Sequence, residues 1–361
     1  MKKKIFFLLP VFSFGGAGQS ILRISSCLNK KNYSVCIISL GKCFYKKNFE
    51  ENKIKVFEIK KKKILLAVNV IRNIINNDKS KKKILISNIH YTNVISLIFL
   101  RDLKDLKIIV SERTSIKELF IYFGLKDYFK KMIIKILIRI FYKNSDKIIT
   151  NSNKCSKDLK NFIHRDVETI FSPSYYDIRP FKKKREGFVQ ICTIGRLSKE
   201  KNIKLQIKIL ARLKKYKYKL FIVGDGEEKE RLKKLVNKLN MKSRVKFLNY
   251  RKNIETILKN SDLYLNTSYF EGFPNAIVEA INYKVPVICS DSHGGIHDIL
   301  KRKKFGEIFK LDDEDCFLNL IRKFFINQKF FTAKLKNSKK HLQKFNTVNV
   351  TKKYEKILDQ L

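Results

Sequence analysis

Short runs that are apolar at every position recur along this chain, each followed by a segment of helical period. A strand apolar on both alternating faces leaves no face for water, so it must sit in a sheet covered on both sides. Intervening helices supply that cover, and the expected fold is α/β with parallel strands. IFFLLP at 5–10 leads into a helix expected over 19–28, and YSVCIISL, IKVFEI, KKILISN, LKIIVSE and DKIITNS continue the series, with a helix expected over about 65–75. A poorly periodic stretch at 172–187, with Pro173, Pro180 and the cations 182–185, interrupts it. FVQICTIG, YKLFIVGDG, VKFLN, DLYLNTS and VPVICSD then start a second series, with helices expected at about 202–213, 228–239, 254–259 and from Pro274. At 361 residues the chain has the length of two domains. The reading is a Rossmann-like domain over 1–171, a linker over 172–187 and a second Rossmann-like domain over 188–345. One echo joins the halves: Lys143-Asn144-Ser145-Asp146 precedes IITNS, and Lys259-Asn260-Ser261-Asp262 precedes LYLNTS. Open sheets of this kind bind ligands outside the carboxyl ends of their strands, so two facing domains would make a cleft.

Four features could mislead. Met1-Lys2-Lys3-Lys4 and the apolar run behind it imitate a signal peptide, but a short buried strand over 4–9 explains the same residues and implies a cytoplasmic protein. Seven Cys form no Cys-x-x-Cys pair and lie mostly in apolar runs, the usage of a reducing compartment. His293 and His297 are four apart but separated by Gly294 and Gly295, so one helix face does not carry both and no metal is expected. The fourth feature is charge: 79 Lys plus Arg against 33 Asp plus Glu gives +46. Two readings compete, a compositional drift that fills solvated positions with Lys, and selection for a polyanionic surface, a membrane sooner than nucleic acid. Disorder is excluded, because 44% of residues are hydrophobic, 28 of them Phe, enough for a core in each half.

Chemistry is sought where glycines and fixed charges meet strand ends. Gly15-Gly16-Ala17-Gly18 follows the first strand and opens a helix, a place where backbone N–H groups favour an anion. It fails as a dinucleotide fingerprint, since Ile21 stands where the third Gly belongs and no acidic residue ends the second strand. Gly224-Asp225-Gly226 fails likewise, with Lys229 in the third place, and no P-loop is present. Gly195-Arg196-Leu197-Ser198-Lys199-Glu200-Lys201 also follows a buried strand. There Arg196 and Lys201 can converge on one polyanion, and in so Lys-rich a chain the Arg is the informative residue. Finally, Glu271-Gly272-Phe273-Pro274-Asn275 runs into a helix holding Glu279, with Pro274 placed as the first helical residue. Even on one helix Glu271 and Glu279 would stand about 12 Å apart, beyond a glycosidase pair.

Taken together and in order, GRLSKEKN, FIVGDGEEKERLKKL, EGFPNAIVE and VPVICSDSHGG resemble the retaining glycosyltransferase family 4, with its GT-B fold. The likeness is strong over 189–300, and GGAG, SERTS and NSDKIITNS resemble that family's first domain. It implies transfer of a sugar, an N-acetylhexosamine among the options, from a nucleotide diphosphate sugar such as a UDP-sugar, without a metal cofactor. The acceptor implied is a glycan or lipid-linked molecule of surface polysaccharide or lipopolysaccharide assembly. On this resemblance Arg196 and Lys201 grip the diphosphate, Glu279 the ribose and Glu271 the donor sugar. Gly195, Gly224 and Gly272 border the donor, Phe273, Pro274 and Asn275 line the helix end, and Gly16 closes the site from the first domain. It also implies that a final helix, over 346–361, returns to the first domain. The chain departs from the family in carrying Gly18-Gln19-Ser20 after the first loop and Arg113 where members often have His. Arg113 is therefore an acceptor-side candidate or an ordinary ion-paired residue, and His90, in ISNIHYTN, is an acceptor-side candidate or a structural hydrogen-bonded one.

Residues 126–143 place Lys131, Lys135, Arg139 and Lys143 every four positions against Met132, Ile133, Ile136, Leu137, Ile140 and Phe141. Such a basic amphipathic helix either packs within the domain with a solvated face or docks on anionic lipid, which would make the protein peripheral at the inner face of the membrane. The rival functions are a GT-B-related epimerase or phosphorylase, and a basic nucleic-acid-binding protein, for which aromatic platforms and recognised modules are missing.

Overall fold

A computed structural model describes every residue except 1, 13, 14, 62, 123, 178–186 and 250–253. The chain divides into two compact units, Met1–Pro173 with Thr347–Leu361, and Ser174–Asn346. Most of the linker expected at 172–187 lies outside the described residues; Ser172, Pro173 and the adjoining chain to Asp177 are described.

The first unit is built on seven parallel strands: β1 (Lys3–Leu9), β2 (Tyr33–Ser39), β3 (Lys55–Glu58), β4 (Lys83–Asn88), β5 (Leu106–Glu112), β6 (Lys147–Thr150) and β7 (Glu168–Thr169). Their order in the sheet is β3-β2-β1-β4-β5-β6-β7. Period-two alternation explains why β1 is apolar from Ile5 to Leu9: Phe6 and Leu8 join the core on one face, Ile5, Phe7 and Leu9 the core on the other. The residues that imitate a signal peptide are thus a central strand. The helix Thr347–Asp359 belongs to this unit and lays Val350, Tyr354, Ile357 and Leu358 into the second of those cores. Its C-terminal carbonyl at Leu358 accepts from Lys3 Nζ at 2.7 Å, a cation at the negative end of a helix.

The second unit repeats the plan with β8 (Val189–Ile194), β9 (Tyr218–Val223), β10 (Val245–Leu248), β11 (Leu263–Asn266), β12 (Val287–Ser290) and β13 (Glu307–Phe309), ordered β10-β9-β8-β11-β12-β13 and again parallel. In each unit the strand order reverses direction beside the first strand, between β1 and β4 and between β8 and β11, which is where such sheets open a crevice at their carboxyl edge.

The repeated Lys-Asn-Ser-Asp segment proves to be one mechanical device used twice. Ser145 and Ser261 leave their helical turns in extended conformation, each hydroxyl bonding a carbonyl of the turn just left (Tyr142 and Ile257, both 2.7 Å). The following Asp clamps the neighbouring strand from both sides. Asp146 N–H donates to Ile108 O (2.9 Å) while its carboxylate accepts from Ile108 N–H (2.8 Å). Asp262 does the same to Gln190, at 2.7 Å in both directions. This fixes the register with which β6 joins β5 and β11 joins β8. The described cysteines are all free, and burial pushes the Cys36 thiol up to about 12 and Cys43 to about 11, so both stay protonated as core residues.

The clamp generates a prediction. Asp262→Ala and Asp146→Ala each leave a strand N–H without its carboxylate and should each cost about 1–3 kcal/mol. Chemical denaturation reads this, and a loss below about 0.3 kcal/mol in both would show that the carboxylates do not hold the register.

Candidate functional site

The loops at the second unit's crevice follow β8 and β11. Thr267 binds them together: its hydroxyl reaches the carbonyls of Lys201 (3.1 Å) and Asn202 (2.9 Å) and accepts from Gln206 Nε2 (2.9 Å). Tyr269 N–H adds a bond to Glu200 O at 2.9 Å. Asn202 takes the left-handed conformation (φ 46°) and turns the chain into the helix Ile203–Ala211, leaving Lys201 at the rim. As a result Lys201 Nζ stands 2.6 Å from Glu271 Oε1. The same oxygen accepts from Ser268 Oγ (2.7 Å) and lies 3.4 Å from Asn266 Nδ2, so the carboxylate is held from three sides through one oxygen. Glu271 is 10% exposed in this setting, whereas Arg196 is exposed and has no ion-pair partner among the described residues.

Glycines let the loops approach this closely. A Cβ on Gly224, at φ +146°, would fall 1.9 Å from Gly195 O, and one on Gly294, at φ +120°, would fall 1.8 Å from Glu271 O. Gly294 thus admits the loop after β12, which completes the seating of Glu271: Glu271 N–H donates to His293 O and Gly295 N–H to Gly272 O, both at 2.9 Å. Gly195 differs, because a Cβ there would meet no atom within 4 Å, so packing alone does not require glycine at that strand end.

The helix Asn275–Asn282 begins one residue later than expected. Pro274, with φ −78° and ψ 86°, stands just outside it, its carbonyl accepting from Ile277 N–H at 3.0 Å. Glu279 lies within the helix at 6% exposure. The Phe273 ring is packed edge-on against Phe345 (5.1 Å between centroids), and Asn275 Oδ1 accepts from Ser174 Oγ at 3.0 Å. Those two side chains serve packing and loop attachment, leaving Arg196, Lys201, Glu271 and the glycines as the polar rim.

In the first unit Gly16 opens the helix Gly16–Cys27 after β1, and Ser20 Oγ bonds back to its carbonyl at 2.7 Å. Beside it, at the ends of β4 and β5, lies a buried polar cluster. His90 starts the helix His90–Phe99 after Ile89, a β-branched residue held at φ 76°. Its Nδ1 is 2.8 Å from Glu112 Oε2, with the two side chains only 3% and 2% exposed. Tyr142 and Asn93 donate to the other oxygen of Glu112, Asn93 at 2.9 Å, and Thr114 Oγ1 lies 3.2 Å from His90 Nε2. Burial disfavours the imidazolium, but the charge and contact of Glu112 outweigh it and raise the His90 pKa above its ordinary value. Glu112 therefore pairs with His90 and not with Arg113. The Arg113 guanidinium is 8% exposed, donates through Nε to Asn88 Oδ1 at 2.8 Å, and keeps Nη2 without a hydrogen-bond partner among the described residues.

Sequence reasoning did not single out Asn266, Thr267 and Ser268, which build the seat of Glu271, or Glu112 and Asn88, which hold His90 and Arg113. The signal available was a polar residue at the last position of an apolar strand, seen in LYLNTS, KILISN and KIIVSE. Among the described residues no three of His, Cys, Asp and Glu lie together as metal ligands would.

Comparison with known proteins bears on the family and the fold. Residues 175–341 match the family model described as glycosyl transferases group 1. The chain is 24% identical, over 99% of both sequences, to the Campylobacter jejuni enzyme named GalNAc-alpha-(1->4)-GalNAc-alpha-(1->3)-diNAcBac-PP-undecaprenol alpha-1,4-N-acetyl-D-galactosaminyltransferase. It is 34% identical to the Escherichia coli UDP-Gal:alpha-D-GlcNAc-diphosphoundecaprenol alpha-1,3-galactosyltransferase over 38% of this chain and 35% of that one. Anabaena HepE, solved in complex with UDP-glucose, superimposes with a TM-score of 0.80 at 18% identity, covering 99% of this chain and 100% of that one. Epimerase, phosphorylase and nucleic-acid-binding readings receive no support from these relatives. A group 1 match over the second unit, full-length similarity to a sugar transferase and the doubly repeated parallel sheet make this chain a glycosyltransferase of the GT-B fold.

Proposed function

We propose that this glycosyltransferase moves a sugar from a UDP-sugar, with retention of anomeric configuration, onto a lipid-linked glycan during assembly of a surface polysaccharide. The observation that carries the donor half is the rim of the second unit's crevice, where Lys201 is clasped to Glu271 at 2.6 Å and Arg196, nearby in sequence, is exposed and has no ion-pair partner among the described residues. Charge develops on the departing diphosphate as the bond from the sugar anomeric carbon to phosphate oxygen breaks. Cations fixed before the reaction stabilise that charge without reorganisation, and no metal ion is part of the proposal. Glu271, its orientation set by Ser268 and Asn266, faces the sugar hydroxyls, and Glu279 the ribose. The acceptor oxygen bonds to the anomeric carbon on the face the phosphate leaves, and its proton passes to the departing phosphate oxygen.

Support for UDP comes from the HepE complex and from the donor in the Escherichia coli enzyme's name, and support for an N-acetylhexosamine from the Campylobacter jejuni name. Both named enzymes act on undecaprenol-diphosphate-linked sugars, which is the acceptor class proposed here. Acceptor contacts are assigned to the first unit's strand ends. Arg113 supports this, since a buried guanidinium whose Nη2 has no hydrogen-bond partner among the described residues suits an anionic or hydroxyl-rich ligand, and His90 anchors the adjacent turn.

Three outcomes check the proposal. Arg196→Ala should fold normally and lose roughly 10- to 150-fold in kcat/KM, the equivalent of one charge-assisted hydrogen bond; an unchanged kcat/KM removes the diphosphate from this rim. Glu271→Gln keeps the seat's shape and should lower kcat for sugar transfer while leaving the Kd for UDP, by calorimetry, within about twofold; a matching loss of UDP affinity would place Glu271 on the nucleotide. His90 has a raised pKa in the folded chain, so its stabilising share is fully present below about pH 6.5 and is lost as pH rises through the folded value. Denaturation series should show wild type losing more stability than His90→Gln between acidic and mildly alkaline pH, and parallel profiles would sink the assignment.

A further inference from the structure

Parallel strands that end together leave the residues beyond them side by side, and at the carboxyl edge of the first unit two such neighbours are buried with a polar atom unmet. Arg113 follows β5 and Asn151 follows β6, at 8% and 7% exposure. Glu112 is in register with Thr150, so the residues one further on are adjacent, and Asn151 Nδ2 donates to Arg113 O at 2.9 Å. That bond fixes which way the Asn151 amide points, since only its nitrogen can donate to a carbonyl. Asn151 Oδ1 is then left without a hydrogen-bond partner among the described residues, as is Arg113 Nη2.

The donor of this pair is held rigidly. Arg113 Nε donates to Asn88 Oδ1 at 2.8 Å, and Asn88 is itself bonded through Nδ2 to Leu8 O and Ile86 O, both at 3.0 Å. From the helix Thr347–Asp359 the Tyr354 hydroxyl lies within hydrogen-bonding reach of Arg113 and Ser111. The guanidinium has no carboxylate partner among the described residues, because its neighbour Glu112 is taken by His90. Buried polar groups are nearly always paired, so a fixed donor beside a fixed acceptor, both unmet, is costly to keep unless a ligand meets them.

Chemistry decides what that ligand presents. An anion satisfies Nη2 but sets its charge against the lone pairs of Oδ1. A carboxamide offers a carbonyl oxygen to the donor and an N–H to the acceptor, and its oxygen carries more negative charge than a hydroxyl does. We propose that Arg113 and Asn151 read the acetamido group of the acceptor sugar, Nη2–H donating to its carbonyl oxygen and Oδ1 accepting its N–H. The enzyme thereby selects an N-acetylhexosamine as the sugar to be extended, with Asn88 and Tyr354 as positioning residues that act through Arg113. The inference rests on the reading that puts acceptor contacts at the first unit's strand ends, and deepens it by naming the group recognised.

The test is an NMR titration of the full chain with three methyl galactosides that differ only at C2, carrying an acetamido group, an O-acetyl ester or a hydroxyl. The amide should bind at least roughly tenfold more tightly than the hydroxyl sugar, the worth of one charge-assisted hydrogen bond, with the ester, which keeps the carbonyl and lacks the N–H, between them. Arg113→Met should bring all three within about threefold of one another. Asn151→Ala should erase the gap between amide and ester while the ester stays ahead of the hydroxyl sugar. Asn88→Ala should shrink the amide preference itself, a ratio that a merely structural role would not move. The comparison within the native chain needs no variant, so it holds whatever the substitutions do to folding. The proposal is overturned if the native chain binds none of the three or ranks them equally, or if Arg113→Met keeps the full preference. It is overturned too if inorganic diphosphate, and no glycoside, loses affinity on Arg113→Met, which gives the site to an anion. No UDP-sugar is present, so the preference can stand where transfer to these glycosides fails; transfer at equal rates to all three sinks the acetamido pair and leaves the acceptor reading intact.

Discussion

Everything in this molecule follows from burying both faces of a parallel sheet. Strands such as Ile5–Leu9 are apolar at every position because water reaches neither side, and each must be followed by a helix that returns the chain to the starting edge. All strands then end at the same edge, and all loops that follow them converge there. Register along that edge has to be held, since parallel strands lack the tight turns that fix a hairpin. The Asp146 and Asp262 clamps do this, one in each unit, between β5 and β6 and between β8 and β11.

Convergence of loops costs backbone space, and the second unit meets that cost with glycine where the chain runs closest. Gly224 passes Gly195, and Gly294 passes Glu271, at distances no side chain tolerates. The polar consequence is the Lys201–Glu271 clasp, built on Thr267, Ser268 and Asn266. A partly buried carboxylate already satisfied on one oxygen is a fixed acceptor, and the cation beside it is held in place by the pair. The first unit places a second buried carboxylate, Glu112, at the equivalent edge, but commits it to His90 and Tyr142, so that Arg113 Nη2 has no partner among the described residues.

The two sheets, most of the helices and the glycine-bounded loops were legible in the sequence because periodicity and strand-end glycines are local signals. The segment around Pro274 was read one residue early, since a proline's fixed φ suits a helix start whether or not its ψ joins the helix. Phe273 and Asn275 were expected along the helix end that faces the ligand; what no local signal foretold is that their side chains meet Phe345 and Ser174, each some 70 to 100 residues away in sequence. The helix Leu125–Phe141 was correctly read as basic and amphipathic, but a wheel gives two faces without saying which one the protein keeps. Burial of Ile134, Ile138 and even Lys131 decided that the larger apolar face is outward.

By itself, then, the sequence determined the strand and helix types, the division into two units and the glycine-bounded loops at the strand ends, because these depend on residues within a few positions of one another. Tertiary structure alone decided that Glu271 meets Lys201, that Glu112 meets His90 and not its neighbour Arg113, and that the basic helix shows its apolar side to the outside. Such pairings depend on which strand ends lie side by side, and strand order is set by the packing of whole sheets, which no short stretch of chain encodes.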